Sequence, residues 1–136
     1  MRYGRTAGVI ILLGAFAALS VPFVAQSAEL SSTARSEVAH LLAYIERSGC
    51  QFYRNGTWCR DTKVAREHVE LKYHYFAGKG RVNSTEDFIT WAATRSEVSG
   101  KPYMVKSGEG APVPLAQWLT EELARYRKET SAPHDE

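Results

Sequence analysis

The chain has 136 residues, of which 44% are hydrophobic, 11% aromatic and 24% charged, and this balance excludes collagen-like, coiled-coil and disordered classes. The formal net charge is +2, from 17 basic and 15 acidic residues, which is too small an excess for a nucleic-acid-binding module. Two cysteines cannot build a dense disulfide scaffold, and no Cys and His spacing resembles a metal site. We therefore expect one folded domain with no metal and no cofactor.

The first 28 residues have the order of a secretory signal peptide. Two arginines lie within residues 1–5, an uncharged stretch with a dense apolar run follows, and small residues come after Pro22. An uncleaved anchor is the alternative because a span needs about 20 apolar residues, but Ser20, Pro22 and Gln26 make a poor span. The sequence predicts cleavage after Ser27 or Ala28, export, and no membrane attachment of the mature chain.

Signal-peptide cleavage would also change the net charge of the protein, and export would change its redox environment. It removes two arginines and no acid, which leaves 15 basic and 15 acidic residues and a formally neutral chain. Export places Cys50 and Cys59 in an oxidising compartment, where we expect them to form a disulfide. A regular hairpin would hold them in diagonal positions, about 7–8 Å apart between α-carbons, so the bridge would need a bulge or a frayed strand end. Two unpaired thiols are the alternative.

Apolar residues at helical spacing predict four helices. The predicted ranges, set by capping residues and by glycine and proline positions, are residues 31–47, Asp61 or Thr62 to about Phe76, Ser84 to before Ser99, and Leu115 to near Lys128. A disordered polar tail is expected over residues 129–136. On the second helix the stripe of Val64, His68, Leu71 and Tyr75 is expected to be buried.

The strand signals are shorter. Aromatic residues flank Asn55-Gly56, the pair that a two-residue type I′ hairpin favours, so Arg54 should lie opposite Thr57 and Phe52 opposite Cys59. Residues 102–105 predict a third strand at a sheet edge, because a proline cannot donate to a ladder. The fold class is therefore α+β: a small single domain over residues 29–128, with an N-terminal helix, a β-hairpin plus a third short antiparallel strand, and three further helices covering the sheet.

His68 and Lys72 are four residues apart and point from the same side of the second helix. The simplest interpretation of His68 is a residue at the edge of the core, and the functional alternative is a general base. Ser99 or Glu86 could assist such a base, but no local signature presents a nucleophile. We assign no catalytic residue. His40 lacks this context and is expected at the surface.

Four segments carry a resemblance to a known family: Phe52-x-Arg54-Asn55-Gly56, Ala65-x-x-His68-x-x-x-Lys72, Thr85-Glu86-Asp87-Phe88-Ile89 and Ser96-x-x-Ser99-Gly100-Lys101-Pro102-Tyr103-x-Val105. In this order they resemble the YfeK-like family of small bacterial exported proteins, over about residues 35–127. The resemblance implies a bacterial periplasmic protein with one domain, and it brings no activity, cofactor or catalytic residue. It also implies a polar or aromatic residue in place of Cys59, so a disulfide would be peculiar to this chain.

The matched polar residues lie on three predicted elements that could converge. Arg54 lies beside the hairpin turn, and two residues, Ser99 and Lys101, precede the third strand. Together with His68 and Lys72 they would favour an anion, such as a carboxylate of a peptide or of a cell-wall fragment. The alternative is that Arg54 and Lys101 are solvated surface charges.

We therefore expect a monomeric, non-enzymatic periplasmic binding or accessory protein that recognises an anionic small molecule or an envelope protein, and not nucleic acid. Two alternatives stay open. A small periplasmic hydrolase would use His68 as general base. An inhibitor of a cell-wall enzyme would insert the hairpin tip, residues 54–58.

Overall fold

The computed structural model describes residues 29–132, which form four helices and a four-stranded sheet. In chain order they are α1 (Ser32–Arg47), β1 (Gln51–Arg54), β2 (Thr57–Cys59), α2 (Thr62–Gly78), α3 (Thr85–Ala92), β3 (Met104–Lys106), β4 (Val113–Pro114) and α4 (Leu115–Ser131). This architecture confirms the predicted α+β single domain. The expected signal peptide, residues 1–28, and residues 133–136 lie outside the described residues.

Three helices begin at the polar residues that the sequence offers as caps. The side chains of Ser31, Asp61 and Ser84 each accept a hydrogen bond from a backbone N–H in the first turn of α1, α2 and α3. The helix ends differ more from prediction. Helix α3 already ends at Ala92, and α4 continues to Ser131, so the first part of the predicted tail is helical.

The sheet is antiparallel throughout, in the order β2-β1-β3-β4. The predicted hairpin register is confirmed, with Arg54 opposite Thr57, and the turn residues Asn55 and Gly56 have φ of 49° and 89°. Strand β3 pairs with β1 as predicted, but β4 pairs with its other side. The third strand is therefore internal and not at an edge, because Pro102 precedes it and Pro114 lies on the outer strand instead.

The predicted Cys50–Cys59 disulfide is not formed in the structure, where both cysteines are free. The hairpin pairs Phe52 with Cys59 without a bulge, and this register leaves Cys50 in the diagonal position. Cys50 is buried with its Sγ 3.7 Å from the Ser48 carbonyl oxygen, and the Sγ of Cys59 lies 3.6 Å from the Asp61 carbonyl oxygen. The regular strand geometry is the physical reason for the correction.

The core lies between the helices and the inner face of the sheet. The predicted stripe of α1 is buried, and it belongs to one cluster with side chains from α3, α4 and β3; its members are Val38, Leu41, Leu42 and Ile45. None of the helices within residues 29–132 has the length and apolar character needed to cross a membrane.

Helix α2 does not bury the face that its strongest pattern predicts. Val64, Leu71 and Tyr75 are 50%, 70% and 57% exposed, whereas Val69 and Phe76 are buried. The sequence of α2 contains two apolar stripes, and the one that packs against α1 and α3 is the second. The first stripe, which we call the α2 ridge (Val64, Leu71 and Tyr75), is left at the surface.

Candidate functional site

The α2 ridge forms one wall of a groove whose other wall comes from the hairpin and from the segment before β3. The groove contains two adjoining cavities. The hairpin cavity, of about 260 Å³, is lined mainly by apolar side chains that include Phe52 and Val64. The loop cavity, of about 490 Å³, is lined by side chains that include Leu71, Tyr75 and Val98.

The two cavities share three lining residues, Arg54, His68 and Tyr103, and these are joined by hydrogen bonds. The Nη1 of Arg54 lies 2.6 Å from Nδ1 of His68, and the Nε2 of His68 lies 3.1 Å from the hydroxyl of Tyr103. On the loop-cavity side, the ammonium of Lys72 donates to the Tyr103 hydroxyl at 3.3 Å and to the Arg95 carbonyl at 2.6 Å. We call these four residues, Arg54, His68, Lys72 and Tyr103, the bridge.

Separate elements hold the bridge in place. Arg54 ends β1, and His68 and Lys72 lie one helical turn apart on α2. Tyr103 directly precedes β3 and is only 4% exposed. Its backbone N–H donates to the Thr94 carbonyl at 3.0 Å and its carbonyl accepts from the Leu115 N–H at 2.9 Å, so the backbone that carries the ring is held on both sides.

The pairing of donors and acceptors determines the tautomer of His68. Since a guanidinium has only donors, the Nδ1 of His68 must accept from Arg54, and the proton sits on Nε2 and is donated to Tyr103. The Tyr103 oxygen then accepts from both His68 and Lys72. Its own O–H remains as a donor for a further group.

The surroundings of the bridge favour neutral His68. Burial, together with the positive charges of Arg54 and Lys72, lowers the pKa of His68 to about 4, so the ring is neutral at pH 7. Burial also lowers the pKa of Lys72, an effect that the nearby Glu97 carboxylate opposes. Burial raises the pKa of the Tyr103 hydroxyl, which therefore keeps its proton.

The bridge carries more positive than negative charge. Within residues 29–132 the one acid in ion-pair contact with Arg54 or Lys72 is Glu97, whose carboxylate is 3.7 Å from the Lys72 ammonium and whose side chain is 52% exposed. Arg54 itself is exposed and has no such acid among the described residues. The groove therefore presents two cationic groups and a hydroxyl between two apolar cavities.

The other two predicted site residues have different positions. Ser99 donates through its hydroxyl to the side-chain oxygen of Asn55, a residue that lines the loop cavity, at 2.7 Å, and so ties the segment before β3 to the hairpin turn. Ser99 and Lys101 are exposed, and neither lines either cavity. The structure thus brings together Arg54, His68 and Lys72, connects Ser99 to the groove only through Asn55, and leaves Lys101 outside.

Tyr103 is the bridge residue that the sequence reasoning did not assign. The sequence contained one signal for it, because a tyrosine within a predicted strand that buries its ring has to find a hydrogen-bond partner for its hydroxyl. The partner could not be identified without the position of α2.

The groups proposed to assist a catalytic His68 lie elsewhere. Glu86 accepts a hydrogen bond from Arg127 of α4 at 2.6 Å, and Ser99 is bonded to Asn55. Within the part of the chain that the structure describes, no group of three His, Cys, Asp or Glu side chains could hold a metal ion. The bridge itself offers hydrogen-bond donors and two positive charges, a set that can bind an anion.

Comparison with known proteins gives one match. Residues 32–127 match the model of a family of unknown function, DUF5329, and this range includes all four bridge residues and both cavities. No curated protein and no solved structure matches the chain.

Proposed function

The chain belongs to the DUF5329 family of unknown function, and we propose that it is a non-enzymatic binding module that holds an anionic ligand in the α2 groove. One observation carries the proposal: Arg54 lines both cavities and Lys72 lines the loop cavity, with a single exposed acid, Glu97, beside these two cations. Unmatched positive charge next to exposed apolar surface suits a ligand that has both an anionic and an apolar part.

The anion would take the place of His68 as the hydrogen-bond partner of Arg54. A neutral imidazole nitrogen is a weaker acceptor for a guanidinium than a carboxylate, which can accept two parallel bonds. Arg54 is exposed and lines both cavities, so its fork can turn from His68 to the ligand. The O–H of Tyr103, already polarised by two donors, supplies a third contact.

We propose a bacterial periplasmic location for this module. The signal-peptide pattern of residues 1–28 and the resemblance to YfeK-like exported proteins support it. In that compartment, carboxylates of peptides and of cell-wall fragments are ligands of the required charge.

A hydrolytic role for His68 has less support. A general base needs a free lone pair and a pKa near the working pH, whereas the Nδ1 lone pair of His68 is engaged by Arg54 and the pKa of the ring is about 4.

The inhibitor role has no specific support either. At the hairpin tip, Arg54 turns toward His68, and the Trp58 ring is contacted by the Lys106 ammonium at 5.3 Å.

Octanoate, a carboxylate with one apolar tail, tests the proposed function when it is compared with uncharged octanamide. We expect octanoate to bind saturably to the mature chain and to raise the pKa of His68, because a bound anion offsets the charge of Arg54. The measurement is an NMR titration of the His68 ring, with affinity from calorimetry.

Two matched variants test where octanoate binds. Arg54→Ala should weaken octanoate binding about tenfold or more, since it removes a charge-assisted pair. Lys101→Ala removes a cation of the same neighbourhood that lines neither cavity, and it should leave the affinity unchanged. Equal effects of the two variants, or no preference for octanoate over octanamide, would refute the proposed function.

A further inference from the structure

The groove has exposed apolar side chains on both sides of its cations. Residues 29–132 contain five large hydrophobic side chains that are exposed, and four of them line the groove: Val64 in the hairpin cavity, and Leu71, Tyr75 and Val98 in the loop cavity. Val98 is the extreme case, at 93% exposure. Exposed apolar side chains gathered at one site indicate an interaction surface, whereas scattered ones need no explanation.

The length of the groove limits the size of the ligand. Val64 and Tyr75 are eleven positions apart on α2, which corresponds to about 16 Å along the helix axis at about 1.5 Å per residue. An extended peptide rises about 3.3 Å per residue, so about five residues cover this distance. His68 lies between the two ends, one helical turn from Val64 and two turns from Tyr75.

We propose that the occupant of the α2 groove is a short segment of a partner protein in which an acidic side chain lies between two apolar side chains. This inference rests on the proposed function and names the ligand class for the same site. A single-tailed anion would fill one cavity and leave the other exposed. A segment with apolar groups on both sides of its carboxylate covers Val64 on one side and Leu71 and Tyr75 on the other.

The charge of the groove and the spacing of its two cavities both fit such a segment. In an extended segment, the first, third and fifth side chains point to the same face, so an apolar-x-acid-x-apolar pattern presents all three groups to the groove. The central carboxylate meets Arg54 and the Tyr103 hydroxyl, and the outer side chains enter the hairpin cavity and the loop cavity. Glu97 beside Lys72 disfavours a second acid at the loop-cavity end.

The test uses the mature chain and four probes. The reference peptide is acetyl-Leu-Ser-Glu-Ser-Leu-amide, the second peptide has Gln in place of Glu, the third has Ser in place of both Leu, and the fourth probe is octanoate. Calorimetry and the NMR titration of His68 measure the affinity of each. We expect the reference peptide to bind more tightly than octanoate, and each altered peptide to bind about tenfold more weakly than the reference or worse.

A variant pair tests whether the peptide uses the loop cavity. Leu71→Ser removes a side chain that is 70% exposed, so the fold should persist while the reference peptide binds several-fold more weakly. The matched control is Trp58→Thr, which removes an exposed apolar side chain that lines neither cavity. It should leave the affinity for the peptide unchanged.

The outcomes separate this inference from the proposed function. If octanoate binds in an Arg54-dependent manner but the serine-ended peptide binds as well as the reference peptide, the partner segment is refuted and the anion site stands. If neither octanoate nor the glutamate peptide binds, both are refuted. If sedimentation shows a dimer of the mature chain that Leu71→Ser dissociates, the occupant is a second copy and the partner segment is refuted.

Discussion

Two polar clusters link separate elements of this protein, and they differ in charge balance. The first joins α1 to α4: Glu37 accepts from the Arg127 guanidinium at 2.7 and 2.9 Å, and Glu122 accepts from Arg125 and from His40, the latter at 2.6 Å. We call these five residues the α1/α4 cluster. The second is the bridge in the α2 groove, where Arg54 and Lys72 have only one exposed acid beside them among the described residues.

The α1/α4 cluster is a closed set of interactions. Glu37 and Glu122 are only 6% and 4% exposed, and hydrogen bonds from Arg127 and Arg125 hold the pKa of each carboxyl below its usual range. Within residues 29–132 no buried side-chain nitrogen or oxygen lacks a hydrogen-bond partner. A cluster whose buried acids are all matched by cations has a structural role, whereas the two groove cations share one exposed acid, and Arg54 has no acid in ion-pair contact among the described residues.

The largest expected effect comes from breaking the α1/α4 cluster. Arg127→Ala leaves the buried Glu37 carboxylate without its guanidinium, so the free energy of unfolding should fall by about 2 kcal/mol, less than for a fully buried pair because Arg127 is partly exposed. Urea denaturation measures the change. The titration of His68 and the binding of octanoate should remain as in the wild type.

Two variants serve as controls for this prediction. Lys128→Ala removes an exposed cation one position along α4. Arg54→Ala removes the exposed one of the two groove cations, and each variant should change the free energy of unfolding by no more than about 0.5 kcal/mol. A larger loss of stability in Arg54→Ala than in Arg127→Ala would reverse the assignment of structural and binding roles.

A smaller effect is expected from acid, and it originates in the groove. His68 has a pKa of about 4 in the folded protein against 6.5 in the unfolded chain, where burial of the ring and the positive charges of Arg54 and Lys72 no longer disfavour its charge. Between these values the unfolded state binds the extra proton, so stability is full above pH 6.5 and falls as the pH drops toward 4. After allowance for solvent screening, the loss is about 1 kcal/mol.

The comparison of wild type with His68→Gln isolates this contribution. Between pH 6.5 and 4.5 the free energy of unfolding of the wild type should fall by the His68 contribution. That of the variant should lack this fall. The carboxylates of the α1/α4 cluster, whose pKa values lie below the usual 4.5, lose their contribution at lower pH. Identical pH profiles for the two proteins would contradict the environment assigned to His68.

The smallest effect is expected from reduction. Cys50 and Cys59 are free and diagonal across a regular hairpin, and Cys59 borders the hairpin cavity, so no covalent tie constrains the groove. A reducing agent should leave the melting temperature unchanged, and thiol labelling of the denatured protein should find two reactive cysteines per chain. A large drop in melting temperature on reduction would show that the pairing predicted from the sequence forms after all.

The parts of the fold that were predicted correctly depend on neighbours in the chain. The stripe of α1, the side-chain caps of three helices and the register around Asn55-Gly56 follow from spacing, from free N–H groups and from positive φ, all of which act over a few residues. The short β4 was missed because Val113 and Pro114 carry almost no strand signal before β3 is in place.

The candidate site could be predicted only in part, again because the sequence signals are local. The polar types at Arg54, His68 and Lys72 suggested an anion site, and the structure brings these three together. The contribution of Tyr103 and the outlying position of Lys101 depend on how the segment before β3 meets α2. A contact across 31 residues of chain, from Lys72 to Tyr103, leaves no periodic pattern in the sequence.

By itself, the sequence determined an α+β domain with one hairpin, four helices and a candidate set of cations, because capping, turn chemistry and helical periodicity are local. Only the tertiary structure decided which stripe of α2 is buried, because Val69 and Phe76 compete with the α2 ridge for the same core and packing against α1 and α3 selects one of them. That choice leaves Val64, Leu71 and Tyr75 at the surface and makes the groove.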